Sequence, residues 1–454
     1  MQRQAPKKEW GLTPSAFRLL LDWLDEPANS EGQGYLETRR RLVAYFDRRN
    51  CLTPDELADE TLNRVARRLE EEGSIESETP AKYCYIVSSV NFATSDSAGS
   101  QPCNVFNGNA SSRCDYLISF GTVKFAAGET SKNISIPIID DSYAEGNNET
   151  FTVSLNNPSG ASLGQPSTTQ VTIVDNDSPS GPNPVDQSTF FVRQHYLDFL
   201  NREPDTSGLS FWVNNIDSCG ADSNCRAVKR IDTSAAFFLS IEFQQTGYLV
   251  ERIYKASYGD ASGASTLGGA HQLSVPIVRL NESLPDTQEI GRGVVVGQGN
   301  WQQQLENNKQ AFTLEFVQRT RFITAFATSM TPAQFVDKLF LNAGVTPAGS
   351  DRTAATNEFG GSPTTADVAA RSRALRDVAE NSSLNQQEFN RAFVLMQYFG
   401  YLRRNPFDPP ESTLDYTGYE FWLTKLNQFN GNYGDAEMVK AFISSLEYRQ
   451  RFGP

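Results

Sequence analysis

The sequence predicts a modular α+β chain: an N-terminal helical bundle, an incomplete β-sandwich and a larger C-terminal all-α domain built from repeats. Three observations predict it. Apolar residues recur at helical spacing through the first 85 positions. Between Thr122 and Asp177 they alternate at period two and are punctuated by Gly, Asn and Pro. Beyond residue 188 one helical motif occurs twice.

A chain of 454 residues exceeds a single core, and about two to four domains is the usual division. The expected boundaries are a helical segment at 1–85, a strand-rich segment at 86–178, a linker at 179–187 and a helical domain at 188–454. With 40 basic against 54 acidic residues the formal charge is −14. Phosphate contacts need a basic face, so no nucleic-acid partner is expected. Two histidines, His195 and His271, leave little room for zinc or for histidine-based acid–base catalysis. His195 lies in the helical pattern FVRQHYLDFL and reads as packed or solvent-facing rather than catalytic. Cys103 with Cys114 and Cys219 with Cys225 have the spacing of small loop-closing disulfides, which favours an oxidising compartment. Cys51 and Cys84 are expected to be free thiols. No stretch approaches the ~20 apolar residues of a membrane span, and MQRQAPKKEWGLTPS shows no hydrophobic export signal.

In the N-terminal segment Thr13-Pro14 caps a first helix carrying Phe17, Leu20, Leu21 and Leu24. A second helix covers Tyr35 to Arg49 with Leu42, Val43 and Phe46 on one side. Thr53-Pro54-Asp55-Glu56 opens a third, with Leu57, Leu62, Val65 and Leu69 inward. Arg39, Arg40, Arg41, Arg48 and Arg49 form a basic side, expected to be solvated and balanced by nearby Glu and Asp. The run PDELADETLNRVARRL resembles region 2 of extracytoplasmic-function RNA polymerase sigma factors, over less than a fifth of the chain. Neither the rest of the promoter-contacting region nor a DNA-binding region 4 follows.

In the middle segment the strand candidates carry Val123 and Phe125, then Ile134, Ile136 and Ile138, then Phe151, Val153 and Leu155, then Val171 and Ile173. The acids collect at strand ends, as Asp140-Asp141, Glu145, Glu149, Asp175 and Asp177. A sandwich brings such ends to one pole, where several carboxylates repel unless a cation neutralises them. Hard oxygen ligands in a flexible loop suit calcium.

The residues AAGETSKNISIPIIDDSYAEGNNETFTVSL, with VTIVDND after them, resemble a Calx-beta domain, the immunoglobulin-like calcium-binding module of exchangers, integrin beta-4 and bacterial surface proteins. The resemblance implies calcium ligands at Asp140, Asp141, Glu145, Asp175 and Asp177, with Asp115 of CDYLISFGT as a further one. Ser142 stands where the family often has another Asp, and Asn176 splits the closing acidic run. Both lower the ligand charge and imply the weak affinity of extracellular modules, about 10⁻⁴–10⁻³ M. Val90 to Ser95 resembles the family's third strand. The two strands before it are absent, replaced by the end of the helical segment at AKYCYIVSS, as though two reading frames had been fused.

SPSGPNPVDQ reads as a linker. After it, LNREPD leads to GLSFW at 208–212, and LRRNPFD leads to GYEFW at 418–422. Each Trp is followed by a related helix, AFFLSIEFQQ at 236–245 and AFISSLEYRQ at 441–450. A worn middle copy is read at 311–322 and 335–344. The Phe-Trp pairs are expected to be the repeat's own core, and Asp205 and Asp408 to be turn or N-cap residues. The pattern resembles a bacterial domain of unknown function, number 4214 in its series, found in secreted and surface proteins. It implies no activity.

The sequence therefore points to a non-catalytic, extracellular or cell-surface interaction protein, with calcium stiffening the sandwich pole and the helical repeats taking a protein or polysaccharide partner. A transcription-related protein using the first 85 residues on RNA polymerase, which would be cytoplasmic, is the alternative. A hydrolase in the C-terminal domain is a second, although no nucleophile elbow, HExxH or P-loop is present.

Overall fold

The computed structural model describes residues 12–24, 32–48, 54–75, 88–99, 101–125, 129, 131–146, 148–178 and 181–454. Cys51, Cys84, Arg49, Thr53 and most of AKYCYIVSS lie outside the described residues. The chain divides into two compact units. One comprises Met1–Ala93, Phe120–Ser135 and Val153–Thr169; the other comprises Thr94–Ser119, Ile136–Thr152 and Gln170–Pro454.

In the first unit, α1 (Pro14–Leu24), α2 (Gln33–Arg48) and α3 (Pro54–Glu72) form the expected bundle. Thr13 caps α1, its Oγ1 accepting from the Ala16 amide at 3.0 Å. Leu20, Leu42, Leu62, Val65 and Leu69 meet in one core, with Phe17, Val43 and Phe46 packed on its edge. The basic side of α2 is balanced as expected at Arg39, Arg40 and Arg41; the Arg48 side chain and Arg49 lie outside the described residues. Arg39 forks onto Asp59 at 2.5 and 2.8 Å, and Glu37 takes both Arg40 and Arg41. Such exposed pairs are screened by solvent and add little stability.

Four strands form an antiparallel-edged sheet in the order β2-β1-β3-β4, with β1 at Ser88–Ser95, β2 at Phe120–Phe125, β3 at Glu149–Ser159 and β4 at Thr168–Ile173. β1 and β2 pair antiparallel, with Val90 opposite Val123. The expected strand through Ile134, Ile136 and Ile138 is not a strand. Only Ile138 bridges, antiparallel to Tyr116. Pro137 inside the run has no amide hydrogen to continue a ladder.

The second unit is mainly helical. Its helices are α4 (Ser188–Leu200), α5 (Thr206–Asp217), α6 (Ser223–Phe238), α7 (Ile241–Gln244), α8 (Gly247–Tyr258), α9 (Leu280–Gly291), α10 (Trp301–Phe316), α11 (Thr320–Ala325), α12 (Pro332–Ala343), α13 (Gly349–Asn357), α14 (Val368–Ala379), α15 (Ser382–Gln397), α16 (Thr417–Gln428), α17 (Met438–Ser444) and α18 (Leu446–Arg449). Residues Gly247 to Ser257 of α8 are all buried, and this helix is the axis of the core. The expectation of an all-α domain is corrected by a hairpin, β5 (Asp260–Ser265) with β6 (His271–Pro276). The turn between them holds Gly268 and Gly269 at positive φ, and Gly263 lies so close to the Tyr416 ring that a Cβ there would collide with it.

The two repeats share more than sequence. Arg202 stacks on Tyr196 and forks onto Glu242 at 2.8 and 3.0 Å. Arg404 stacks on Tyr398 and forks onto Glu447 at 2.6 and 3.0 Å. Gly208 and Gly418 open α5 and α16 against these tyrosine hydroxyls, where a Cβ would collide. Asp205 caps α5 and Asp408 accepts from the Asn405 amide, the two expected turn roles. Trp212 and Trp422 are half-buried on Phe237 and Phe442. Phe211 and Phe421, expected in the core, are 60% and 45% exposed. Each precedes a Trp in a helix that turns only one side inward, and adjacent residues cannot share that side.

Candidate metal centre

The acids of the strand ends are assembled by three short backbone links, all within the second unit. Leu117 donates to Pro137 O and Ile139 to Asp115 O, each at 2.9 Å, which lays Asp115 beside Asp140-Asp141. Ala110 donates to Thr150 O and Thr150 to Gly108 O, which seats the start of β3, and so Glu149, against the same loop. Beyond β4 Asp175 Oδ2 accepts from the Gly146 amide at 2.9 Å, drawing the closing acidic run to the Glu145 loop. The Cys103–Cys114 disulfide closes the loop immediately before Asp115. Cys219–Cys225 is also bonded, as expected.

Asp115, Asp141 and Glu145 present carboxylate oxygens within 4.8 Å of one another. Asp175 and Asp177 stand at the rim, and Asp177 feels the charge of the exposed Asp140. All six expected residues thus belong to one connected electrostatic group, with three at its centre. Two further carboxyls belong to it that the expected ligand set omits. Glu149 is 4% exposed and shares a hydrogen bond with Asp115. Asp96 accepts from the Tyr116 hydroxyl at 2.5 Å and adds its charge beside Asp115. Glu149 was already legible as a strand-end acid. Its register, in phase with the buried Phe151 and Val153, is the signal that it points inward.

The electrostatics follow from this crowding. Burial, then the charges of Asp115, Glu145 and Asp177, pushes Asp141 up to about 8. Burial with Asp115, Asp175 and Asp177 pushes Glu145 up to about 7. Burial raises both Asp115 and Glu149, and the hydrogen bond between their carboxyls requires one to keep a proton. Asp175 is the exception. The Asp177 and Gly146 amides hold it below the usual carboxylate range. Among the described residues no Lys or Arg forms an ion pair with any of these eight acids.

This donor set fits a hard divalent cation. It is all oxygen, it is uncompensated, and its members sit on loops that can close around an ion. Asp115, Asp141 and Glu145 would hold the ion, with Glu149 beside them. The ion would supply the counter-charge that their protons supply without it.

Comparison with known families agrees with this geometry. Residues 78–177 match the Calx-beta domain, and residues 180–247 match the Domain of unknown function (DUF4214). Calx-beta domains are calcium-binding in general. No curated protein and no solved structure matches the chain. Among the described residues no helix is long and apolar enough to cross a membrane. The chain thus has one segment similar to a Calx-beta domain and, after it, one similar to DUF4214.

Proposed function

We propose that this protein is a non-catalytic, calcium-binding interaction protein of the cell surface or extracellular space. Calcium at Asp115, Asp141 and Glu145 fixes the pole of the β-module, and the helical repeats take a protein or polysaccharide partner. The observation that carries the reading is the convergence of these three carboxylates, with Glu149, in a site where no Lys or Arg among the described residues pairs with them. Calx-beta membership of the segment supports calcium over other hard cations, and such domains are typically extracellular or membrane-associated. The two disulfides support an oxidising compartment. The absence of catalysis is part of the proposal: His195 is fully buried between Phe191 O and Ser234 Oγ, away from solvent and substrate.

Isothermal titration of the full chain with calcium tests it. Saturable binding near 10⁻⁴–10⁻³ M is expected, with a matching rise in melting temperature. Loss of both in Asp141→Asn supports the site. Absence of saturable heat at about 10 mM calcium overturns the reading.

A further inference from the structure

We propose that a cavity of about 180 Å³ in the second unit, lined by Arg113, Arg403 and Arg404, is a binding site for a small oxyanion. Ser112 and Asn281 add polar groups to its wall, and Leu284 an apolar one.

The arginines around it are unequally paired. Asp198 is held by both nitrogens of the Arg451 fork, at 2.9 and 3.0 Å, and also accepts from Gln194. Arg403 approaches this same carboxylate only to 3.9 Å. Glu447 Oε1 is shared by Arg404 at 2.6 Å and Arg113 at 2.7 Å. Glu411 stands 3.8 Å from Arg404, and Asp408, in the cavity wall, has its Oδ2 taken by the Asn405 amide and side chain.

Arg403 is the least compensated. Its side chain is 2% exposed, its Nη1 reaches only the Asp198 carbonyl at 3.5 Å, and its Nη2 has no hydrogen-bond partner among the described residues. A buried guanidinium of this kind is costly unless something answers it. Burial lowers it to about 10.

The molecule contains its own control. Asn201 occupies the same place in the first repeat and the same left-handed backbone, φ 52° against 51° for Arg403. Asn tolerates that conformation better than a long side chain does. The repeat fold therefore does not require an arginine here, and the second copy carries one at the wall of a cavity. Arginine forks match oxyanions in two-pronged fashion. The volume suits a few heavy atoms, as in sulfate, phosphate or a short dicarboxylate.

Titration calorimetry of the full chain with sodium sulfate, sodium phosphate and sodium oxalate, each against ionic-strength-matched sodium chloride, tests the proposal. Saturable one-to-one binding of at least one probe is expected. Preference for the first two or for oxalate separates a tetrahedral anion from a carboxylate. Arg403→Asn, which installs the first repeat's residue, is expected to weaken binding at least tenfold while the protein stays folded. Arg403→Lys, which keeps the charge without the fork, should fall between. No saturable binding of any probe to the unmodified chain overturns the proposal. So does an Arg403→Asn protein that binds as tightly as its parent.

Discussion

Ser142 Oγ donates to the carbonyl of Phe452 at 3.1 Å, and the Ser142 amide donates to the same oxygen at 2.9 Å. The next residue back is Asp141, at the centre of the acidic cluster, and the next one forward, Tyr143, donates its hydroxyl to Gln450 O. The loop that carries the metal candidate is thereby tied to residues 450–452.

From this tie we expect calcium to slow amide exchange in 446–453 as well as in 140–146, because a ligand that stabilises one cooperative segment stabilises what is bonded to it. Hydrogen exchange with and without calcium checks it. Protection confined to 140–146 would show that the tie transmits nothing.

The buried His195 makes stability fall in acid. Burial lowers its pKa to about 4, against an ordinary 6.5. The unfolded chain then takes up a proton between these values and the folded chain does not, so this contribution is complete above pH 6.5 and is lost as pH falls toward 4. The loss is about 3 kcal/mol at most. His195→Gln, which places there the residue type of Gln397 in the second repeat, should flatten this window in urea unfolding followed against pH.

The two Arg–Glu forks should not be equal. Glu242 answers Arg202 alone, whereas Glu447 answers Arg404 and Arg113. Removing one partner of a buried pair costs about 3–5 kcal/mol. Glu447→Gln is expected at the upper end and Glu242→Gln below it, read as the shift in urea midpoint.

Gly208→Ala should destabilise by about 1–3 kcal/mol, because its methyl meets the Tyr196 hydroxyl. Tyr196→Phe removes that oxygen. The double variant should recover part of the loss, giving a coupling in a double-mutant cycle. Gly418→Ala with Tyr398→Phe should behave alike.

Much of this arrangement was readable from residue order. The described caps, the apolar phases of the N-terminal helices and three strand positions are local properties, and they appear where spacing puts them; the run through Ile134, Ile136 and Ile138 does not. Clustering of Asp115, Asp141 and Glu145 was readable through the family resemblance, which places all three among its ligands. Asp96 was missed, and Glu149, read as a strand-end acid, was left out of the ligand set, because their roles depend on strand register and on which strand end faces which loop. Arg403 was unreadable for a different reason. Its lack of a close partner follows from Arg451 holding Asp198, 253 residues away, a competition that no local pattern records. The β5–β6 hairpin carried a Gly-Gly signal between short runs, but its small side chains hid the alternation that marks a strand.

The duplicated Tyr–Arg–Gly–Glu latch bears on how such proteins are recognised. Asp205 and Gly208 stand three positions apart, while Asp408 and Gly418 are separated by an insertion containing Pro409 and Pro410. A profile tuned to the shorter spacing would find the first repeat and pass over its twin, although both close the same ionic clasp. Genomic counts of these modules made on linear spacing would then run low, and tandem pairs would be recorded as singletons.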